Sequence, residues 1–351
     1  VPDTIKIAAI GPSSGPLSTY GEMLANGVDA AVRRINADGG AAGRRLECVR
    51  YDDGGEPERA VEAARRAARD GVRFVVGHTI SDCALAASDA YEAAGVLLVT
   101  PGATLPELTN RGLRLVFRTI GVNSAQGGAA GQFIADRAPR AVALVHDGRA
   151  YGRSLVEAVD ATLRSRGITP VRTETVRTGT TDFAPLIHEL TLDKADFVFF
   201  GGYPPELGRL IRQAAQQGLT ARFVAGAACD TDEVATWAGD PATPEGLLLS
   251  TPTAFDQDPA NAPVVQAVRD RGGDPANPYT LPAYAAVQVI ARAIEQAGSA
   301  DDTARVAAAF RAGAFPTAIG DLGYQANGDL TRFPFQVYRW QYGRPKTPAG
   351  D

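Results

Sequence analysis

The feature that most restricts the fold is a repeated alternation of short β-rich runs with longer stretches of helical spacing. Thr4 to Ile10 (TIKIAAI) reads as a buried strand, and Gly11-Pro12 breaks it. From Tyr20 to Ala37, apolar residues fall at Met23, Leu24, Gly27, Ala31, Val32 and Ile35, a helical spacing ended by Asp38-Gly39-Gly40. Leu46 to Tyr51 is a strand, Glu56 to Arg69 a helix, Arg73 to Val76 a strand, Ser81 to Ala94 a helix and Val96 to Val99 a strand. Strands separated by helices cannot pair as hairpins. The series therefore predicts a parallel, doubly wound sheet with helices on both faces.

After Phe117-Arg118-Thr119 the pattern starts again. Helices are expected at Asn123–Arg137, Tyr151–Arg166, Phe183–Leu190 and Glu206–Gln217, and strands at Ala141–Val145, Val171–Val176, Asp196–Phe200, Arg222–Ala225 and Gly246–Ser250. This is a second α/β lobe of the same design. Beyond it, helices near Pro263–Arg271, Tyr284–Gln296 and Thr303–Phe310, with short strands near Leu322–Tyr324 and Phe335–Trp340, read as additions to the two lobes rather than a third. Two similar lobes usually enclose a cleft lined by the C-terminal ends of their strands.

Composition fits this reading and removes several alternatives. The chain has 351 residues, a length that gives a prior of two domains. It is 45% hydrophobic with a formal charge of −5, so the basic excess of a nucleic-acid-binding surface is missing. No apolar run approaches the ~18 residues of a membrane span. No basic-then-apolar leader opens the sequence, which by itself says nothing of the compartment. Only Lys6, Lys194 and Lys346 are lysines. Cys48, Cys83 and Cys229 are too few and too scattered for a zinc site or a disulfide scaffold.

Gly11-Pro12-Ser13-Ser14-Gly15 has the G-x-S-x-G spacing of a hydrolase nucleophile elbow, with Ser13 as the nucleophile. That elbow needs an immediate strand-to-helix turn, whereas Pro12 and Pro16 flank the motif and helical spacing starts near Tyr20. The candidate bases His78, His146 and His188 also fall outside the Ser…Asp…His order, so a serine hydrolase is the weaker class. The glycines of 39–43 and 127–131 do not lie between a strand and a helix as a dinucleotide fingerprint requires. Asp52-Asp53 reads as a strand-ending turn. No enzyme, cofactor or metal is indicated.

What recurs is glycine and small hydroxyl residues at strand ends. Gly77-His78-Thr79-Ile80-Ser81 ends one strand and makes Ser81 the expected N-cap of the next helix; Thr100-Pro101-Gly102-Ala103-Thr104 ends another. Such backbone amides and hydroxyls receive anions, so these loops beside Tyr20 form a candidate carboxylate pocket.

At these residues the sequence resembles the periplasmic leucine/isoleucine/valine-binding family of ABC transporters. The likeness is carried by Ser14-Gly15-Pro16 with Tyr20-Gly21, Tyr51-Asp52-Asp53, Gly77-His78, Ala87-Ser88-Asp89, Thr100-Pro101 and Pro106-Glu107-Leu108-Thr109. It continues through Val145-His146-Asp147, Tyr151-Gly152, Gly201-Gly202-Tyr203, Glu245-Gly246-Leu247-Leu248 and Gly328-Asp329-Leu330.

The resemblance implies a type I periplasmic binding fold: two doubly wound α/β lobes joined by three crossovers, residues 1–120 with 253–329 and residues 121–252 with 330–351. It implies a monomeric receptor, periplasmic or lipid-anchored outside the membrane, that closes on an amino acid or other small carboxylate and presents it to a membrane permease. Ser81, the Gly102 backbone, Ala103 and Thr104 correspond to the carboxylate site. Tyr20 corresponds to the cleft entrance, and Tyr151 and Tyr203 to second-lobe residues covering the ligand.

Two departures stand out. The family's disulfide positions fall on Gly55 and Ile80, which leaves Cys48 and Cys83 as a displaced pair or as free thiols. The acid that receives the ligand's ammonium falls on Ala227. Either Asp230 replaces that acid, or Asp230 caps a helix as the first residue of the box Asp230-Thr231-Asp232-Glu233, the favoured role. A ligand with a carboxylate and no amine is the other way to meet the change.

Overall fold

The computed structural model describes residues 4–350. The first half of the alternation is present in order: β1 (Thr4–Gly11), α1 (Thr19–Ala37), β2 (Arg45–Asp52), α2 (Pro57–Arg69), β3 (Phe74–Gly77), α3 (Ser81–Ala94), β4 (Leu97–Thr100) and β5 (Val116–Arg118). These five strands form one parallel sheet in the order β2-β1-β3-β4-β5. The central strands β3 and β4 are buried at every residue, as expected of strands covered on both faces. In α2, Ala60, Ala63, Ala64 and Ala67 form one buried stripe at helical spacing, which seats that helix on the sheet.

The second series is α4 (Asn123–Ala135), β6 (Val142–His146), α5 (Ala150–Ser165), β7 (Arg172–Thr175), α6 (Ala184–Leu192), β8 (Phe197–Gly201), α7 (Pro204–Gln216), β9 (Arg222–Gly226), α8 (Glu233–Ala238) and β10 (Leu248–Pro252). Then follow α9 (Ala262–Arg269), α10 (Thr280–Ala297), α11 (Thr303–Ala312), the hairpin β11 (Ala314–Thr317) and β12 (Gly320–Gly323), and finally β13 (Phe335–Arg339) and β14 (Thr347–Pro348). The second sheet has the order β14-β13-β10-β9-β8-β6-β7. Its last two strands run antiparallel to their neighbours, β13 against β10 and β14 against β13.

The chain divides into two compact units. Unit 1 runs to Gly121 and takes back Ala254–Phe333; unit 2 holds Val122–Thr253 and the residues from Pro334 onward. The last passage between units lies four residues beyond the expected boundary at 330. The reason is local: Tyr324 and Leu330 form a β-bridge, and Leu330 is buried in the unit 1 core with Phe333 packed against it. Helix α10 is buried along most of its length and is the centre of that core. It lies so close to α1 that a Cβ on Gly27 would stand 2.2 Å from the carbonyl oxygen of Thr280. Among the described residues no helix is long and apolar enough to cross a membrane.

Candidate functional site

In unit 1 the parallel sheet sets the C-terminal ends of β1, β3 and β4 side by side. The close approach of β1 and β3 requires glycine at the end of β3. Gly77 has φ +153°, and a Cβ there would stand 2.1 Å from the carbonyl oxygen of Ile10. The loop after β1 is tied down by Asp52, whose carboxylate accepts from the Ser13 amide (2.7 Å), the Ser14 hydroxyl (2.6 Å), the Gly54 amide (2.8 Å) and Arg59 (2.6 Å). Partial burial pushes the Asp52 pKa up, but these donors outweigh it and hold the carboxyl down at about 2. The Gly/Ser/Pro motif is therefore a fastened loop.

Beneath it, Asp53, His78 and Tyr91 form a fully buried chain. His78 Nδ1 lies 2.5 Å from Asp53, and Nε2 lies 2.8 Å from the Tyr91 hydroxyl. Burial, with Asp53 close by, pushes the Tyr91 hydroxyl well above its ordinary pKa. His146 hydrogen-bonds the Gly148 amide (3.1 Å) and the Thr175 hydroxyl (3.2 Å). Both histidines are thus engaged away from Ser13.

Ser81 differs from its expected role. The cap position of α3 is Ile80, with extended backbone, and Ser81 is the first helical residue. A shift of one residue turns its side chain away from the helix's own amides. Ser81 is buried and its Oγ makes no hydrogen bond among the described residues; the buried hydroxyls of Thr79 and Thr104 are likewise without a partner. Three buried, unpartnered hydroxyls on two adjacent loops are unusual, because each costs about 1–3 kcal/mol when left unpaired.

The two loops meet at Gly102, where a Cβ would stand 3.0 Å from the carbonyl oxygen of Thr79. The Thr100 hydroxyl donates to the carbonyl of His78 (2.8 Å) and accepts from the amides of Ala103 (2.9 Å) and, loosely, Gly102 (3.4 Å). Arg118, fully buried, donates to the carbonyls of Ala103 and Leu105 from the other side. Tyr20 is buried at the start of α1, its ring 5.8 Å from that of Tyr279. Unit 1 therefore gathers the 79–81 and 102–104 loops.

In unit 2, Tyr151 follows β6 and Tyr203 follows β8, and their rings meet at 5.5 Å. The Tyr151 hydroxyl donates to Gln126 Oε1 (3.2 Å) and lies 3.5 Å from the amide of Ala228. Gly226 makes this approach possible, since a Cβ there would stand 2.4 Å from that hydroxyl. Ala227 is buried in the short turn Ala227–Cys229 after β9, so a methyl group faces this neighbourhood. Cys229 donates weakly to the Gly202 carbonyl (3.4 Å). Burial first, then the charges of Asp147, Glu206 and Asp230, push its thiol well above the ordinary range. None of the three cysteines is in a disulfide among the described residues, so Cys48 and Cys83 are not bonded to each other.

Asp230 does not cap α8, whose cap position is Asp232. Its carboxylate instead accepts from the Thr251 hydroxyl (2.7 Å) and from the ammonium of Lys346, and both members of the ion pair are 7% exposed. Lys346 also lies 5.3 Å from the ring of Tyr338. Sequence reasoning named Thr79 only as part of its loop and missed Arg118, Gln126 and Lys346. The readable signal was Arg118, a lone charge directly after the apolar run Leu115–Phe117.

Two doubly wound α/β units connected by three chain passages, with buried hydroxyls at the strand ends of one and an aromatic pair at those of the other, define a binding protein of the type I periplasmic class. The chain belongs to the periplasmic binding protein family, whose pattern matches residues 4–346. It is 45% identical over 346 residues to the leucine-, isoleucine-, valine-, threonine- and alanine-binding protein of Pseudomonas aeruginosa, covering 98% of this chain and 92% of that one. It is 38% identical over 348 residues to the Leu/Ile/Val-binding protein of Escherichia coli K12, covering 99% and 94%. The crystal structure of a leucine binding protein from Thermotoga maritima superposes with a TM-score of 0.89 at 27% identity, covering 99% of this chain and 98% of that one.

Proposed function

We propose that this chain is the extracytoplasmic receptor of an ABC importer and that it takes a small, largely apolar carboxylate of the branched-chain amino-acid class. The observation that carries the reading is the set of buried, unpartnered hydroxyls of Thr79, Ser81 and Thr104 on two adjoining loops of unit 1. A carboxylate accepts from several hydroxyls and amides at once, and the N-terminus of α3 beside Ser81 favours negative charge. In this reading Tyr20, and in unit 2 Tyr151, Tyr203 and Ala227, are the residues assigned to the apolar part of the ligand. Closure follows from linkage: a ligand touching both units is bound more tightly when they are closed, so binding favours that form, which the permease engages. The receptor works outside the cytoplasmic membrane as a monomer and performs no chemistry, a reading supported by the engagement of His78 and His146 within the fold.

A second reading concerns the amine. Asp230 is paired with Lys346 and Thr251, and Ala227 brings no charge. This favours a ligand whose amine is absent or is met by dipoles rather than by Asp230. A thermal-shift series decides both points: leucine, isoleucine, valine, threonine and alanine beside 4-methyl-2-oxopentanoate and 4-methylpentanoate. A concentration-dependent rise in melting temperature is expected for the acids that bind. Stabilisation by the amine-free acids alone excludes the amino-acid reading, and stabilisation by none excludes the carboxylate reading.

A further inference from the structure

Arg118 is fully buried, and the hydrogen-bond partners of its guanidinium come from two segments of unit 1, residues 103–109 and Asp329. Its guanidinium donates to the carbonyls of Ala103 and Leu105, to the Thr109 hydroxyl (3.0 Å), and through Nε to Asp329 Oδ1 (2.7 Å). The same Asp329 oxygen accepts from Thr109 (2.7 Å), so Arg118, Thr109 and Asp329 close a ring. Asp329 is held in turn by Asn327 Nδ2 (2.9 Å). The Arg118 amide donates to the carbonyl of Gly328 (3.3 Å), and a Cβ on Gly328 would stand 2.0 Å from the carbonyl oxygen of Val116, so the 328–329 segment lies directly on β5.

Burying a guanidinium is costly, and desolvation lowers the Arg118 pKa against the pull of Asp329. Stability alone is served as well by an apolar side chain at such a position. What an apolar residue cannot do is grip two carbonyls of one loop. The backbone between Thr100 and Leu105 is held from one side by the Thr100 hydroxyl on the Ala103 amide, and from the other by Arg118 on the Ala103 and Leu105 carbonyls. Between these anchors stand the Gly102 amide and the Thr104 hydroxyl. Moreover, Arg118 lies three residues before the chain first leaves unit 1, and Asp329 lies in the segment that precedes its last departure at Phe333.

We propose that Arg118, backed by Asp329 and Thr109, is the positioning residue of the 102–104 anion loop and sets its affinity for a ligand carboxylate. The inference rests on the carboxylate reading above. Its test compares wild type with Arg118→Lys, Asp329→Asn and Thr109→Val in the full chain. Two readouts are taken: hydrogen exchange at the amides of residues 102–105, and calorimetric affinities for leucine against leucinamide and 4-methylpentanoate against 4-methylpentanamide.

Lysine keeps the charge but lacks the planar fork that reaches both carbonyls, Thr109 and Asp329 at once, so Arg118→Lys is expected to weaken binding of the acids about 30-fold while the amides bind unchanged. Exchange at 102–105 is expected to speed up while β1 stays protected. An acid-to-amide ratio equal to wild type in the folded variants overturns the proposal. If Arg118→Lys does not fold, Asp329→Asn and Thr109→Val decide it by the same ratio. If wild type binds acid and amide alike, or neither, the carboxylate reading fails on its own. Unchanged exchange at 102–105 in the variants then overturns the positioning role as well.

Discussion

Replacing Lys346 by methionine separates an internal ion pair from a ligand site. Asp230 and Lys346 are each 7% exposed, and Asp230 has one further donor, Thr251. Removing one member of a buried pair leaves an uncompensated charge and costs about 3–5 kcal/mol, whereas neutralising both members is close to neutral. For a unit of this size each kcal/mol moves the melting temperature by about 2–4 °C, so Lys346→Met should lower it by about 6–20 °C. Both tryptophans, Trp237 and Trp340, belong to unit 2, and Trp340 sits in its core. Urea unfolding followed by tryptophan fluorescence therefore reports on the unit that carries the pair.

The double variant Asp230→Asn, Lys346→Met should return to within about 1–2 kcal/mol of wild type, giving a coupling of at least about 2 kcal/mol in a double-mutant cycle. A Lys346→Met midpoint within about 1 kcal/mol of wild type refutes the reasoning, as does a double variant no better than the single one. A large loss of amino-acid affinity in Asp230→Asn without loss of stability would instead make Asp230 a ligand residue.

Two further predictions are independent of that pair. Ser81→Ala and Thr104→Val each remove a buried hydroxyl that has no partner within unit 1, so each should weaken carboxylate binding by about 10–100-fold while leaving the melting temperature unchanged or higher; unchanged affinity by calorimetry counts against the site. The folded-state pKa of Asp52, about 2, lies below the ordinary value of about 3.9, so this carboxylate adds stability above about pH 4 that is lost as the pH falls through about 2. Asp52→Asn should flatten the acid limb of a urea-midpoint-against-pH curve over that interval, and curves that stay parallel would contradict the assignment.

Most of the strands and helices were legible because a parallel sheet covered on both faces leaves uniformly apolar runs such as Phe74–Gly77 and Leu97–Thr100. The misses have physical causes. β5 is three residues long and ends on Arg118, whose compensation by Asp329 lies far along the chain. Helix α8 has six residues, too few for a periodicity to show. Helix α3 spans Ser81–Ala94 as read, but its cap position is Ile80 rather than Ser81, and that decides whether the Ser81 hydroxyl caps the helix or is left for another partner. At Asp230 the local pattern spelled a capping box, while the residue's actual partner is 116 positions away. Local spacing registers helix caps and cannot register a lysine arriving from the end of the chain.

The three passages between units also determine when each core can close during synthesis. Unit 1 is built round α10, which lies beyond the whole of unit 2's first ten elements in the chain, and the unit 2 sheet gains β13 and β14 only from residues after Phe333. A nascent chain that has reached Pro252 has neither core complete. One that has reached Phe333 has unit 1 whole, while β10 stands as an open sheet edge, a ready template for pairing with another chain. The two cores therefore close in sequence within the last third of translation, and the short C-terminal strands, rather than any loop, protect the finished sheet from its neighbours.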